Sequence, residues 1–327
     1  MWSELRPIYV AVGLGVFGLG LFEIGRWSRQ KQLRLQAYAL LSSSFVRIFL
    51  VNPTAANLPG ELVSPSIYPV VPLALIYFYV WRRLSSQVES DFYGWPIRNL
   101  LAYFGTGSIV ALLYYQIEPE WNIATWALVV IALIIAALVL DEEVFLEQTA
   151  LLTAGIAARG LAHNIFGSSY FGEGGWRGKF SAPALTAALL LAALPVAFRV
   201  RAKFAGRPRG SFVSYWLAAR RPEQFLFFAP LALVVFTIAV KMNPGMVTLS
   251  WGVVSVAVIL LGLFVSERSY RLTGLFLLLL CVGKIVFRDA WRLNERDRYI
   301  TFIVLGAALT LVSTLYSKYR DQVSRLL

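Results

Sequence analysis

Apolar residues along this chain run in long unbroken blocks, and Lys, Arg, Asp and Glu gather in the short stretches between them. Such blocks show neither the alternation of a half-buried strand nor the single apolar stripe of a soluble surface helix. A helix apolar on all sides and about 20 residues long fits the hydrocarbon core of a bilayer. The blocks predict helices at 8–24, 35–51, 66–81, 97–117, 121–140, 144–163, 182–200, 224–241, 246–265, 270–290 and 299–316. The expected fold class is therefore an all-α membrane protein, one polytopic domain of about eleven transmembrane helices.

Composition points the same way. The chain is 58% hydrophobic and only 15% charged, whereas a soluble domain carries about a quarter charged residues. The first apolar run is preceded by Glu4 and Arg6 and followed by Arg26, Arg29, Lys31 and Arg34. A cleaved secretory signal has the opposite order, so an uncleaved first helix is expected, with its N-terminus outside.

The formal net charge of +12 would suit nucleic acid only if the basic residues shared one face. They sit instead in short loops between apolar runs, which is how bilayer orientation is encoded. With the N-terminus outside, nineteen of the 30 Lys and Arg residues fall on the inner side, eight on the outer side and three within spans. This bias places the C-terminus in the cytoplasm. Membrane lipids are the expected partners, with other membrane subunits a further option, and nucleic acid is excluded. In the inner loop 201–223, aromatics followed by Arg220 and Arg221 suit either a surface helix on anionic lipid or an ordinary basic loop.

Several kinds of chemistry drop out. Cys281 is the single cysteine and His163 the single histidine, which removes disulfides, thiolate zinc sites and paired-histidine metal motifs. No metal or cofactor is expected. Cys281, in an apolar run, reads as a packing residue. Gly13, Gly15 and Gly18 match the dinucleotide fingerprint, but that motif needs a strand before it. Inside a spanning helix the same glycines serve close helix packing.

An internal repeat organises the spans. Residues 33–52 and 270–289 align without gaps, matching Arg34 to Arg271, Leu35 to Leu272, Arg47 to Lys284, Ile48 to Ile285 and Asn52 to Asp289. Residues 147–164 form a weaker third copy, with Arg159 and Asn164 at the corresponding places. Each copy ends in a cation followed five positions later by Asn or Asp, near the outer end of an outward-running helix. The domain then reads as helical hairpins at 8–51, 66–117, 121–163, 182–241 and 246–290, plus a closing helix at 299–316.

The stretch Tyr270 to Asp289, followed by Arg298 to Gly306 and by Leu315 and Tyr316, resembles bacterial predicted membrane proteins of the domain-of-unknown-function 2339 family. The resemblance is clearest over these C-terminal residues and extends through the repeat. It implies a multi-helix fold in the bacterial inner membrane, with this chain a short relative. It brings no activity and no residue roles.

Arg47, Arg159 and Lys284 are the leading candidates for ligand binding, with Asn52, Asn164 and Asp289 beside them. A cation at the centre of a span costs about 2.5–3.5 kcal/mol on insertion scales, so such residues find partners. These lie close enough to the outer end to snorkel to the headgroups. Recurrence at one register favours a shared anion site if helices 2, 6 and 10 of the predicted set converge. Neutralisation by Asp289 or Glu173 would make the same cluster structural. His163 and Glu173, ten residues apart across a glycine-rich outer loop, are candidates for an acid–base pair. In that loop Tyr170 and Trp176 suit either a lid or an interfacial belt. The alternating charges of 288–298 suit a solvated loop or a docking surface.

Three functions follow from these readings. The first is binding or translocation of an anionic envelope component, lipid or glycan, at the outer leaflet. The second is a non-catalytic scaffold in a larger membrane complex. The third is an outer-face envelope-modifying transferase using His163 and Glu173.

Overall fold

The computed structural model describes residues 7–51, 67–84, 97–166, 176–205, 221–242 and 244–285, and scattered positions from 287 to 314. Among them are eleven α-helices and no strand. The helices are α1 (Pro7–Trp27), α2 (Lys31–Val51), α3 (Ile67–Arg83), α4 (Ile97–Gln116), α5 (Asn122–Leu140) and α6 (Val144–Arg159). A π-helical turn, Gly160–Ile165, prolongs α6. They continue with α7 (Trp176–Ala192), α8 (Leu194–Phe204), α9 (Pro222–Lys241), α10 (Pro244–Phe264) and α11 (Arg268–Lys284).

Five of these, α1, α4, α5, α9 and α10, are long and apolar enough by themselves to cross a membrane. The number rises to six if α7 and α8 count as one bent span. The remainder are shorter or more polar. The α6 helix has 16 residues, α3 and α11 have 17 each, and α2 carries Lys31, Arg34, Arg47 and three serines.

The segment expected as one helix at 182–200 is broken. It begins earlier, at Trp176, and bends by 40° between Ala192 and Leu194. Pro195 explains the break, because it has no N–H to donate and its ring clashes with the preceding turn. The Ala193 N–H is shared between the carbonyls of Leu189 and Leu190, each 3.2 Å away.

The helices fall into two compact units. In the first, formed by Met1–Asn164 with Ser168–Pro230, α1 packs on α2 and α3, α3 on α4, and α5 on α6, α7 and α8. In the second, Ile165–Gly167 with Leu231–Leu327, α10 packs along α11. Its core is Ile259, Leu278, Cys281 and Ile285, flanked by Trp251 and Leu263. Cys281 is fully buried, as its apolar setting predicted.

Glycine permits the closest crossings, since a helix interface in lipid gains mainly from tight packing. A Cβ on Gly262 would lie 2.7 Å from the Arg271 backbone nitrogen, and one on Gly25 would lie 3.0 Å from that of Arg34. Gly15 and Gly18 pack against Leu73 and Leu41, so this part of the nucleotide-like motif serves packing.

Three hairpin turns share one register. Arg29, Asp141 and Ser266 are the non-glycine residues with positive φ among the described residues, at 56°, 62° and 58°. Each ends the first helix of an adjacent pair: α1–α2, α5–α6 and α10–α11. Each also precedes a cation, Arg47, Arg159 or Lys284, by eighteen positions. Burial keeps the same step: Phe22, Ile134 and Ile259 correspond and are all buried, as do Leu41, Thr153 and Leu278.

Candidate ligand site at the repeated cations

The three cations lie near the C-terminal ends of α2, α6 and α11, and each has a different environment. Arg159, half-buried, sits over the Tyr114 ring at 4.7 Å and the Trp126 ring at 5.7 Å. Its Nη2 donates to the Pro119 carbonyl at 3.4 Å. With its amide oxygen turned toward Arg159, Asn122 accepts at 3.3 Å and donates to the Leu113 carbonyl at 3.0 Å. Asn164, 1% exposed, donates to the Glu120 carbonyl at 2.9 Å. Arg159 and Asn164 together therefore tie the end of α6 to the connection that starts α5.

Lys284 makes a comparable reach in the second unit. Its Nζ donates to Thr248 Oγ1, near the start of α10. In both hairpins, then, the cation at the end of the second helix is bonded at the beginning of the first. Arg47 has Ala11 at the position matching Thr248, and its Nε, like that of Arg159, is buried without a hydrogen-bond partner among the described residues.

Lys284 also faces open space. It lines an open groove of about 480 Å³, together with Trp251, Phe276, Leu279, Leu280, Gly283 and Phe287. Apart from Lys284, every lining residue is apolar, aromatic or glycine.

The remaining candidates are placed only in part. His163 lies half-buried in the π-helical turn. Glu173, Asn52 and Asp289 fall outside the described residues, as do Tyr170 and 288–298. Trp176 opens α7.

Two polar groups escaped the sequence reading. Arg98 makes a two-armed ion pair with Glu142, one arm at 3.1 Å, and lies 5.0 Å over the Trp81 ring. Between α4 and α6, Tyr103 donates to Glu147 at 3.1 Å and Thr106 to Gln148 at 2.7 Å. Glu147 and Gln148 are almost wholly buried. One usable sequence signal was the i, i+3 spacing of Tyr103 and Thr106, which puts both on one face of α4.

The model of one family, described as predicted membrane protein (DUF2339), matches residues 75–319. The chain belongs to this family. No curated protein and no solved structure matches the DUF2339 chain. The matched range holds α4–α6 and α10–α11, hence Arg159, Lys284 and the groove. The family description names a membrane protein, in agreement with the run of long apolar helices.

Proposed function

We propose that this DUF2339 chain is a multi-pass protein of the bacterial inner membrane that binds an anionic envelope component, lipid or glycan, at the outer leaflet. In this reading about eleven crossings are built from repeated hairpins, with the N-terminus outside and the C-terminus in the cytoplasm. Helices too short or polar to qualify alone cross as members of hairpins, packed against a longer apolar neighbour. The positive-inside bias puts the cation end of each hairpin at the outer face.

The observation that carries the proposal is the common register of Arg47, Arg159 and Lys284, each eighteen positions after a left-handed turn residue. Snorkelling alone does not require one register. A chain that presents a cation toward the outer headgroups from three hairpins would place it at one register. Phosphate and carboxylate groups are the natural counter-ions.

The test is native mass spectrometry of the protein released from membrane, comparing wild type with Arg47→Gln, Arg159→Gln and Lys284→Gln, singly and together. Loss of co-purified anionic lipid or glycan in the triple variant is expected. Retention equal to wild type would sink the proposal and leave the scaffold reading in its place.

A further inference from the structure

The groove beside Lys284 has a counterpart in α5–α6, and the difference between the two identifies a ligand. A constant shift of 125 positions carries α4 onto α9, Asp141 onto Ser266, Trp126 onto Trp251 and Arg159 onto Lys284. In α5–α6 the tryptophan and cation are covered by Tyr114, whose ring stacks on Trp126 with centroids 6.2 Å apart. The same shift takes Tyr114 to Ala239 and Tyr115 to Val240. Meanwhile α9 still docks on the tryptophan, since Trp251 Nε1 donates to the Val235 carbonyl at 3.0 Å. The third hairpin thus retains the cation and the indole but lacks the two phenol rings.

The wall facing outward is also more apolar than its match in α2. Phe276, Leu279 and Leu280 stand where α2 has Ala39, Ser42 and Ser43, and Phe276 and Leu279 are 62% and 68% exposed. A Cβ on Gly283 would meet no atom within 4 Å, so the groove floor is open there. A slot with apolar walls and a single ammonium at its end matches an amphiphile with an acyl chain and an anionic head.

We infer that the α10–α11 groove is a binding slot for one acyl chain of an anionic membrane phospholipid, with Lys284 holding the phosphate of its headgroup. This rests on the outer-leaflet reading above and assigns the lipid to one of the three cations. Trp251 and Gly283 shape the slot, and Lys284 is held toward it by Thr248. The α5–α6 hairpin takes no such lipid, because Tyr114 fills the corresponding space.

The experiment is native mass spectrometry of the full chain reconstituted in nanodiscs with phosphatidylglycerol or with phosphatidylcholine of the same acyl chains. Wild type and Lys284→Arg should retain phosphatidylglycerol in preference to phosphatidylcholine. Lys284→Gln, which removes the charge, and Gly283→Leu, which fills the slot, should each lower that retention about tenfold, equivalent to about 1.4 kcal/mol. The arginine variant guards against a fold defect at position 284, and equal elution volume guards Gly283→Leu. Undiminished phosphatidylglycerol retention in Gly283→Leu would overturn the slot. If retention falls instead with Arg47→Gln alone, the slot is overturned while the outer-leaflet reading stands. If wild type shows no preference between the two lipids, the slot is overturned and the outer-leaflet reading is left with a glycan ligand.

Discussion

The Arg159 guanidinium lies 4.7 Å above the ring of Tyr114, a residue from a different helix and 45 positions earlier in the chain. The contact joins α6 to α4 at the point where the chain turns into α5. It also balances a cation in an apolar setting through ring electrons and backbone carbonyls. Tyr114→Leu should therefore lower the unfolding temperature in detergent. A double-mutant cycle with Arg159→Met should give a coupling of about 0.5–2 kcal/mol. A coupling of zero would mean that ring and guanidinium are only neighbours.

Glycine at the hairpin crossings carries the second prediction. Gly262→Val places carbon where the Arg271 backbone already lies 2.7 Å from an added Cβ. The α10–α11 pair must separate, at a cost of about 1–3 kcal/mol. Gly20→Ala meets nothing within 4 Å and should leave stability unchanged. Heat-induced aggregation of the two variants, read side by side, checks the contrast.

The turn residues give a third. Ser266 holds a φ of 58°, a conformation that costs a residue with a Cβ about 1–2 kcal/mol and glycine almost nothing. Ser266→Gly should raise thermal stability, while Ser266→Val should lower it. The same ordering is expected at Arg29. At Asp141 the gain should be smaller, since aspartate tolerates this region better.

Arg98 and Glu142 offer a fourth. Their side chains are 17% and 27% exposed, so breaking the pair leaves a partly desolvated charge. Glu142→Gln should cost about 1–2 kcal/mol, between exposed and fully buried cases. Arg98→Met with Glu142→Leu together should recover most of it. Chemical denaturation in mild detergent would show whether the double variant is the more stable.

Membrane sidedness is the fifth. Cys281, the single cysteine, is fully buried, so an impermeant maleimide should leave the wild-type chain unlabelled. In intact cells, Glu118→Cys should label and Ser28→Cys should not. The reverse pattern would invert the proposed orientation.

Much of the helical layout was legible in the sequence, because a bilayer demands long apolar blocks and satisfies backbone groups only within helices. The repeated cation was legible too, being a polar exception in an apolar block. Its role was not. Arg47, Arg159 and Lys284 look alike in sequence, yet Arg159 is engaged by Tyr114, Asn122 and Pro119, and Lys284 borders a groove. Those partners lie more than thirty positions away, and apolar neighbours carry no pattern that predicts which ring will cover a charge. The bend at Ala193 could have been read from Pro195, whereas the left-handed residues Arg29, Asp141 and Ser266 could not. Nothing in an arginine or serine side chain announces positive φ.

By itself the sequence determined a membrane protein of many helices, with a cation recurring at one spacing in three of its apolar blocks. Hydropathy and charge act locally and can be read along the chain. Only the tertiary structure decided that one cation closes a turn against Tyr114 while another borders a groove with Trp251. That distinction depends on which side chain a neighbouring helix delivers, Tyr114 in one case and Ala239 in the other. Packing settles it through shape at a distance in sequence, where hydropathy has no reach.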